Sequence, residues 1–461
     1  MSAIAEKKQD NYVVNMRKAV PIILILFVFS LIIDNSFKII SVDLANEFGL
    51  SSTTVSWQVT LAGLVIGIGA VVYASLSDTI SIRTLLTAGI LLICGGSLLG
   101  FIFQNSYIMI VIARIIQSAG LAATETLYII FVAKHLPKDE QKMFLGFSTS
   151  SYSLALVIGT LTGGYVSTYL HWTTLFLIPL LTLVLLPFIR KMLPKEAAKG
   201  FKVDVIGLLL VAAVAASLML YVTEFNWKTL ALFILSFVLF IGFISKSKKA
   251  FVSISFFKNK KMLSVLAVAF IIYTIQLAFI FIFPFLIESI YQLKLDTISL
   301  LFIPGYLIAT IVGAMSGKIA KVFDSQKSIT IALLLIAGSL VLSSLLIEAS
   351  VVVFVISMLL FSGAFALMYA PMLDTMIGTI APEHSGAALG FYNLVLNIAA
   401  SIGIAYTAAM MDNEWLQQSL LGASKEANVN LYSNILLILA LITLVALMVY
   451  WMLVAKKRKA M

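Results

Sequence analysis

Long apolar runs separated by short polar breaks set the pattern of this chain. Fourteen runs are long enough to cross a bilayer: 19–42, 55–77, 84–104, 107–133, 143–169, 172–193, 203–223, 227–245, 262–288, 297–320, 328–347, 350–376, 386–411 and 431–455. A spanning helix needs about 20 mostly apolar residues, because a helix rises about 1.5 Å per residue through a hydrocarbon layer roughly 30 Å thick. Several runs exceed that length, so tilt or kinks are expected. Pro179, Pro187, Pro284, Pro304 and Pro371 fall inside runs or near their ends. Such breaks are tolerated in lipid where neighbouring helices cover the freed carbonyls.

The runs group as six, two and six. The first six, 19–193, follow a tail at 1–18 and end at the basic segment Arg190–Lys202. The segment 194–261 holds two shorter runs, 203–223 and 227–245, joined by a tight turn at Asn226–Trp227 and bounded by a second basic segment, Lys246–Lys261. Six more runs fill 262–455, and a basic tail closes the chain at 456–461. The expected fold is an all-α membrane protein of fourteen transmembrane helices, arranged as two pseudo-symmetric six-helix bundles with a two-helix insert. Matched halves of this kind are a common transporter architecture. A weak internal echo supports them. Ala74 to Arg83 follows the second run with small residues and then charge, and Gly313 to Lys318, with Asp324 and Lys327, does the same in the latter half.

Composition agrees with the pattern. The chain has 461 residues, of which 61% are hydrophobic and 11% charged, with a mean hydropathy of +1.08. A soluble protein this apolar could not cover its surface, which excludes a soluble enzyme, a disordered chain and a secreted disulfide scaffold. The single Cys94 forms no internal disulfide and no cysteine-cluster zinc site. The net charge of +10 suggests nucleic acid at first sight. However, the basic residues sit in short runs between apolar stretches, as in membrane-protein loops, and not as a patch on a folded surface.

Those basic residues also set the orientation. With both termini inside, the inner segments carry 26 of the 31 Lys and Arg, and the outer segments carry only Lys228, Lys294 and Lys425. Lysine and arginine mark the cytoplasmic side. A missed span would swap sides midway and scramble this asymmetry, so the split supports the count of fourteen as well. The first run passes through Asp34 and Lys38 without a small-residue cleavage pattern, and reads as a retained helix. The expected location is a bacterial cytoplasmic membrane, spanned many times, with both termini cytoplasmic.

The two remaining basic residues, Lys38 and Arg114, lie within spans, together with the acids Asp34 and Glu125. Charge inside a span is costly and is by default a functional mark. The first and fourth spans run in opposite directions. Asp34 lies in the outer half of the first, and Arg114 lies about 10 Å from the outer end of the fourth, so the two can pair. Asp34 and Lys38 are four residues apart and share a helix face. Glu125 follows Arg114 by eleven residues, about 20° from a whole number of turns. Arg114, Gln117, Leu121 and Glu125 therefore form one stripe. A carboxylate there can bind and release a proton, its affinity set by burial and by nearby cations. The plainer reading is a permanent ion pair fixing two helices. It fits Asp34 with Arg114 better than it fits Glu125, which has no obvious cation at its depth.

Softer marks suggest a substrate cavity: Lys38 and Gln117, then Tyr273 and Gln276, then Phe365, Met368, Tyr369 and Met372, and finally Asn393 and Asn397. Aromatic and methionine side chains suit planar or amphipathic ligands, and each residue taken singly fits helix packing equally well. Gly63–Gly67, Gly159–Gly163, Gly313–Gly317 and Gly386–Gly390 are small-xxx-small pairs that let helices approach closely. No GxxxxGK[ST] loop, HExxH or GxSxG occurs, so ATP-driven transport and hydrolase chemistry have no support.

These residues resemble those of major facilitator superfamily drug:proton antiporters of the fourteen-helix class, most closely the chromosomal tetracycline efflux transporters of Gram-positive bacteria. The superfamily's cytoplasmic loop motif corresponds to Ala74–Thr84, which keeps Leu76, Asp78 and Arg83 but has Ala74, Thr79 and Ser81 at variant positions. Its Arg-x-x-Gln-Gly motif is matched by Arg114, Gln117 and Gly120, with Ser118 at one glycine. The acidic motif of the first span is matched by Asp34, with Lys38 where a neutral residue is usual. The antiporter motif is matched by Gly146, Gly159, Gly163 and Gly164, and departs at Ala155, Val157 and Thr160.

The resemblance implies a gating role for Asp78 and Arg83, proton coupling through Arg114, and helix packing through Gly159, Gly163 and Gly164. Glu125 is absent at the matching site of those relatives, which suggests that the proton site has moved. The expected function is proton-coupled efflux of tetracycline and other amphipathic compounds, fatty acids included, by a monomer in the bilayer. It would be driven by the proton gradient, with no cofactor, metal or enzymatic step. The alternatives are a proton-linked metabolite carrier of the same fold and a membrane receptor that transports nothing. Too few Asn, Gln and carboxylate residues in the spans argue against the first, and the cost of four buried charges argues against the second.

Overall fold

The computed structural model describes residues 2–194, 204–247, 259–379, 385–419 and 426–455, and these contain no strand. Helices α1 (Ser2–Ile39), α2 (Ser41–Phe48), α3 (Ser52–Leu76), α4 (Ile82–Ile102), α5 (Tyr107–His135) and α6 (Lys138–Tyr169) come first. Next are α7 (Leu186–Met192), α8 (Val205–Glu224), α9 (Trp227–Lys246), α10 (Lys260–Tyr291), α11 (Leu295–Ala314) and the short α12 (Ser316–Ile319). Helices α13 (Ser325–Leu345), α14 (Val351–Ile377), α15 (Ser385–Met411) and α16 (Ala427–Tyr450) complete the set. Polar residues at the breaks start the helices by capping free backbone N–H groups. Asn226 accepts from the Thr229 N–H at the start of α9 at 3.0 Å. Asn259 accepts from Met262 at 3.1 Å at the start of α10, and Asp324 from Lys327 at 2.7 Å at the start of α13.

Thirteen helical stretches among the described residues are long and apolar enough to span a membrane. The run at 143–169 falls in α6, which has the length, but its many Ser, Thr, Tyr and Gly positions dilute its hydropathy. The run at 172–193 qualifies but is not one α-helix. It consists of two 3₁₀ segments, Trp172–Phe176 and Ile178–Leu185, followed by α7. Pro179 and Pro187 each lack an N–H and crowd the preceding turn, which works against a continuous α ladder. The Thr182 hydroxyl donates to the carbonyl of Pro179 at 2.7 Å, so that oxygen is satisfied inside the segment. Pro284, Pro304 and Pro371 all remain within helices.

The chain divides into two compact units. Unit 1 comprises 1–38 and 65–203, and unit 2 comprises 39–64 and 204–461. In unit 1, α4 and α5 approach closely: a Cβ on Gly96 would lie 2.6 Å from the Ala113 carbonyl oxygen. Their neighbours Leu26, Phe27, Ile90, Leu127, Tyr128 and Phe131 are buried in one core. In unit 2, aromatic rings do much of the packing, with Phe279 and Phe361 at 4.5 Å and Phe283 and Phe302 at 4.7 Å between centroids. Within the same unit, Asp412 accepts from the N–H groups of Ser52 and Thr53 at 2.9 and 2.8 Å, anchoring the start of α3.

Candidate functional site

The four charged residues inside the spans converge in unit 1. Helix α1 presents Asp34 and Lys38, and α5 presents Arg114 and Glu125. Asp34 takes one cation on each oxygen: Arg114 donates to Oδ1 at 3.0 Å and Lys38 approaches Oδ2 at 2.6 Å. Asp34 is buried and Arg114 is wholly enclosed, whereas the Lys38 side chain keeps 22% of its surface exposed. Arg114 also donates to the Gln117 side-chain oxygen, and Gln117 in turn donates to Ser97 on α4 at 2.8 Å. The guanidinium lies 4.5 Å from the Phe37 ring centroid, and its Nε has no hydrogen-bond partner. A desolvated cation over an aromatic face is worth about 2 kcal/mol, which offsets part of that orphaned donor.

Glu125 differs from the other three. It is half-buried, and among the described residues it makes no ion pair or hydrogen bond. Its neighbour Thr124 shares a hydrogen bond with Ser30 of α1, one turn below Asp34. Lys38 and Asp34 both act on it electrostatically. The Lys38 ammonium is held on Asp34 Oδ2 at 2.6 Å, and among the described residues no cation lies within ion-pair distance of Glu125.

The remaining expected residues separate. Gly159 on α6 packs against α1, where a Cβ would lie 2.8 Å from the Ile32 carbonyl oxygen and 2.9 Å from the Asn35 Cβ. The Ser36 hydroxyl crosses to the Gly159 carbonyl at 2.9 Å, and Gly163 and Gly164 are buried further along the same helix. Asp78 pairs with Lys134 at 2.7 Å, and Lys134 also donates to the Ser77 carbonyl at 2.9 Å. Arg83 is half-buried and takes no part in that pair. Gly313 and Gly317 face open space, and Gly386 and Gly390 lie outside the residues whose side chains are described.

In unit 2, Tyr273 is buried with its ring edge-on to Phe365 at 6.0 Å. Met368 and Met372 are buried, Tyr369 is 48% exposed and Gln276 is half-buried. Asn393 is exposed, and Asn397 donates to its carbonyl at 3.0 Å. A separate cavity of about 550 Å³ in unit 2 is lined by Ile319, Phe323, Leu367, Pro371 and Asp374 among others, and by none of the residues expected to bind substrate. The sequence reading missed Ser97, Phe37 and Lys134. The first two lack any distinguishing local pattern, but Lys134 was available as a cation near the end of the span that carries Arg114.

Chemically, unit 1 holds an Asp34 carboxylate shared by Arg114 and Lys38, and a Glu125 carboxyl that makes no ion pair or hydrogen bond among the described residues. No cluster of metal-ligating side chains occurs among the described residues.

Comparison with known proteins agrees with this architecture. The family model described as Major Facilitator Superfamily matches residues 22–404. The chain is 26% identical over 421 residues to the quinolone resistance protein NorB of Staphylococcus aureus strain MRSA252, covering 87% of this chain and 89% of that protein. It is 22% identical over 395 residues to the riboflavin transporter RibZ of Clostridioides difficile strain 630, covering 84% and 86%. Among solved structures, a bacterial homologue of the human lysosomal transporter Spinster superposes with a TM-score of 0.69 at 10% identity, covering 95% of this chain and 96% of that one. A D-xylose–proton symporter gives 0.64 at 14% identity, with 94% and 97% covered. These structural likenesses establish the fold.

Proposed function

The chain belongs to the Major Facilitator Superfamily, a multi-pass membrane transporter and not an enzyme, and from that premise we propose that it exports amphipathic small molecules, tetracyclines among them, in exchange for protons. The observation that carries this reading is Glu125: an acid inside a span, without a fixed partner, beside an Asp34 whose two oxygens are already taken by Arg114 and Lys38. Glu125 exchanges the proton, and the Asp34–Arg114 pair holds α1 and α5 in register around it. A proton entering through Glu125 carries one charge down the membrane potential, worth about 2.3 kcal/mol per 100 mV, enough to drive a solute uphill.

The accompanying topology is fourteen spans in a six-two-six order, with α6 as the fourteenth, both termini cytoplasmic, and the working unit a monomer. Residues 19–193 and 262–455 are the two bundles of the transport cycle, and 203–245 is the insert. The aromatic and methionine residues around Tyr273 and Phe365 supply the apolar wall for the substrate. A second reading, carriage of a planar metabolite, is favoured by one finding, the match to a riboflavin transporter over most of the chain.

The test is drug-driven pH change in proteoliposomes. Tetracyclines, fatty acids and riboflavin are offered separately to the purified full chain under an imposed proton gradient. Proton movement with tetracyclines or fatty acids supports drug export. Movement with riboflavin alone moves the assignment to the metabolite carrier, and no movement with any of them removes proton exchange.

A further inference from the structure

The cavity of about 550 Å³ in unit 2 lies where the end of α11, the short α12, the start of α13 and the later part of α14 come together. That volume falls in the range of small-molecule sites, about 300–1,000 Å³. Its wall is apolar at Val312, Ile319, Phe323, Leu367 and Pro371. Pro371 has no N–H, so the carbonyl of Leu367, four residues earlier in α14, loses its usual helical donor, and both residues line the cavity. Ser328 is buried, and among the described residues its hydroxyl has no hydrogen-bond partner. The half-buried side chains of Ser316 and Gln326 have none either. All three line the same cavity.

The charge of the lining has one sign. It includes Asp324 and Asp374 and no Lys, Arg or His. Asp324 caps α13 by accepting from the Lys327 N–H at 2.7 Å, and among the described residues it makes no ion pair. Asp374 accepts from the Ser325 hydroxyl at 2.8 Å. Both carboxylates are exposed. Lys318, Lys321 and Lys327, on the same stretch of chain, are exposed and stand outside the lining. We infer that this cavity is a binding site for amphipathic cations. The apolar body of the ligand packs on the wall, its ammonium stands at Asp324, and a donor on the body meets the Leu367 carbonyl. A buried acceptor without a donor costs free energy, so a donor-bearing ligand is favoured over a plain hydrocarbon. A neutral amphipath fills the same wall without the charge contact, and an anion meets two like charges. None of the residues around Tyr273 and Phe365 lines this cavity, and none of its contacts requires proton exchange, so the inference goes beyond the export reading.

The test uses the full chain in phosphatidylcholine nanodiscs, with the signal of empty discs subtracted, and three ligands that share a dansyl fluorophore. These are dansylcadaverine (a cation), its N-acetyl derivative (neutral) and dansyl-6-aminohexanoic acid (an anion). Wild type should bind the cation about fivefold more tightly than the neutral form, the upper end of what a solvent-exposed ion pair supports, and the anion least tightly. Asp324→Asn keeps the helix cap and gives up the charge. It should bring the cation and the neutral form to within about twofold by weakening the cation alone. Asp324→Glu keeps the charge and should retain the preference, which separates charge from capping. Ala370→Phe adds a ring to the lining from an exposed position on α14, so it should fill the cavity without disturbing the core. Cation and neutral form should then weaken alike by about tenfold, the scale of apolar burial denied to one side-chain-sized group.

A wild type that binds the three ligands alike overturns the site, and so does an Ala370→Phe protein with unchanged affinities. A cation preference that survives in Asp324→Asn places the ammonium elsewhere and overturns it as well. Unfolding midpoints equal to that of wild type confirm that the variants are folded. Each of these results leaves the export reading standing, because that reading rests on Glu125 in unit 1.

Discussion

Unit 1 concentrates its polarity in four ionisable side chains on two helices, whereas the corresponding region of unit 2 spreads it over rings and hydroxyls. In unit 1 a single carboxylate, Asp34, organises two cations and through them a chain of contacts to Gln117 and Ser97. In unit 2 Tyr273 meets Phe365, and Tyr406 reaches Thr274 at 3.3 Å, with no charge among them. Charge in a span costs several kcal/mol unless it is paired. Aromatic contacts add about 0.5–1.5 kcal/mol each beyond the area they bury. The two regions therefore differ in the consequence of a single substitution: steep in unit 1, graded in unit 2. They also differ in what they can couple to, since only a titrating group links transport to a proton gradient.

The steepest effect is expected at Asp34. Asp34→Ala leaves Arg114 enclosed without its counter-charge, and breaking a buried pair from one side costs about 3–5 kcal/mol. The expected outcome is a large drop in the thermal unfolding midpoint of the detergent-solubilised protein. Adding Arg114→Met should recover most of it, because removing both partners is far less costly than removing one. An Asp34→Ala protein as stable as wild type would mean that the pair does not organise unit 1.

Glu125 should separate function from folding. Glu125→Gln retains the shape and gives up the proton, so the protein should fold normally and still exchange substrate across the membrane in the absence of a gradient. Uphill accumulation should fall by about fiftyfold per 100 mV, the ratio that one proton charge supplies. Flux measured in proteoliposomes with and without a potential reads the two properties separately. Uphill pumping that survives in Glu125→Gln would transfer the coupling role to another acid.

Unit 2 should answer more mildly. Phe365→Ala removes the ring against Tyr273, and the half-saturating drug concentration should rise by about two- to tenfold, the range that one aromatic contact supports. The number of protons moved per substrate should stay the same. A change in that number on substitution in unit 2 would erase the division of labour between the two regions.

Much of this was legible in the sequence, because membrane spans are written in long apolar runs and intramembrane charges stand out against them. Asp34 and Arg114 were placed at matching depth by residue counting alone, and the i,i+4 spacing put Lys38 on the face of Asp34. Less legible was anything that depends on side-chain reach or on the path of the backbone. Counting puts Lys38 on the face of Asp34, but that it takes Oδ2 while Arg114 takes Oδ1 depends on side-chain reach. The run at 172–193 has the hydropathy of an α-helix but, with two prolines, resolves into 3₁₀ turns. Ser97 is a chemically ordinary residue whose partner, Gln117, is set by packing between distant segments, which no local pattern encodes.

The loop between α3 and α4 gives the smallest expected effect and the sharpest check on the resemblance to the superfamily's loop motif. That motif draws attention to Asp78 and Arg83, yet Asp78 pairs with Lys134, at the end of α5, and Arg83 stands apart. The Asp78 side chain is 72% exposed and that of Lys134 38%, so water screens the pair, and its contribution to stability should stay below about 1 kcal/mol. Asp78→Asn and Lys134→Gln should each leave the unfolding midpoint almost unchanged, and what small shift there is should vanish in high salt, where the Debye length falls to about 3 Å at 1 M. Arg83→Gln should shift it no further. If the loop gates transport through the pair, Asp78→Asn and Lys134→Gln should slow transport to the same extent, and the double variant should be no slower than either single one. Arg83→Gln would then be the least affected. If Arg83→Gln proved the most damaging, the side chain that stands apart in this structure would have to engage a partner in another state of the cycle, and the Asp78–Lys134 contact would be incidental.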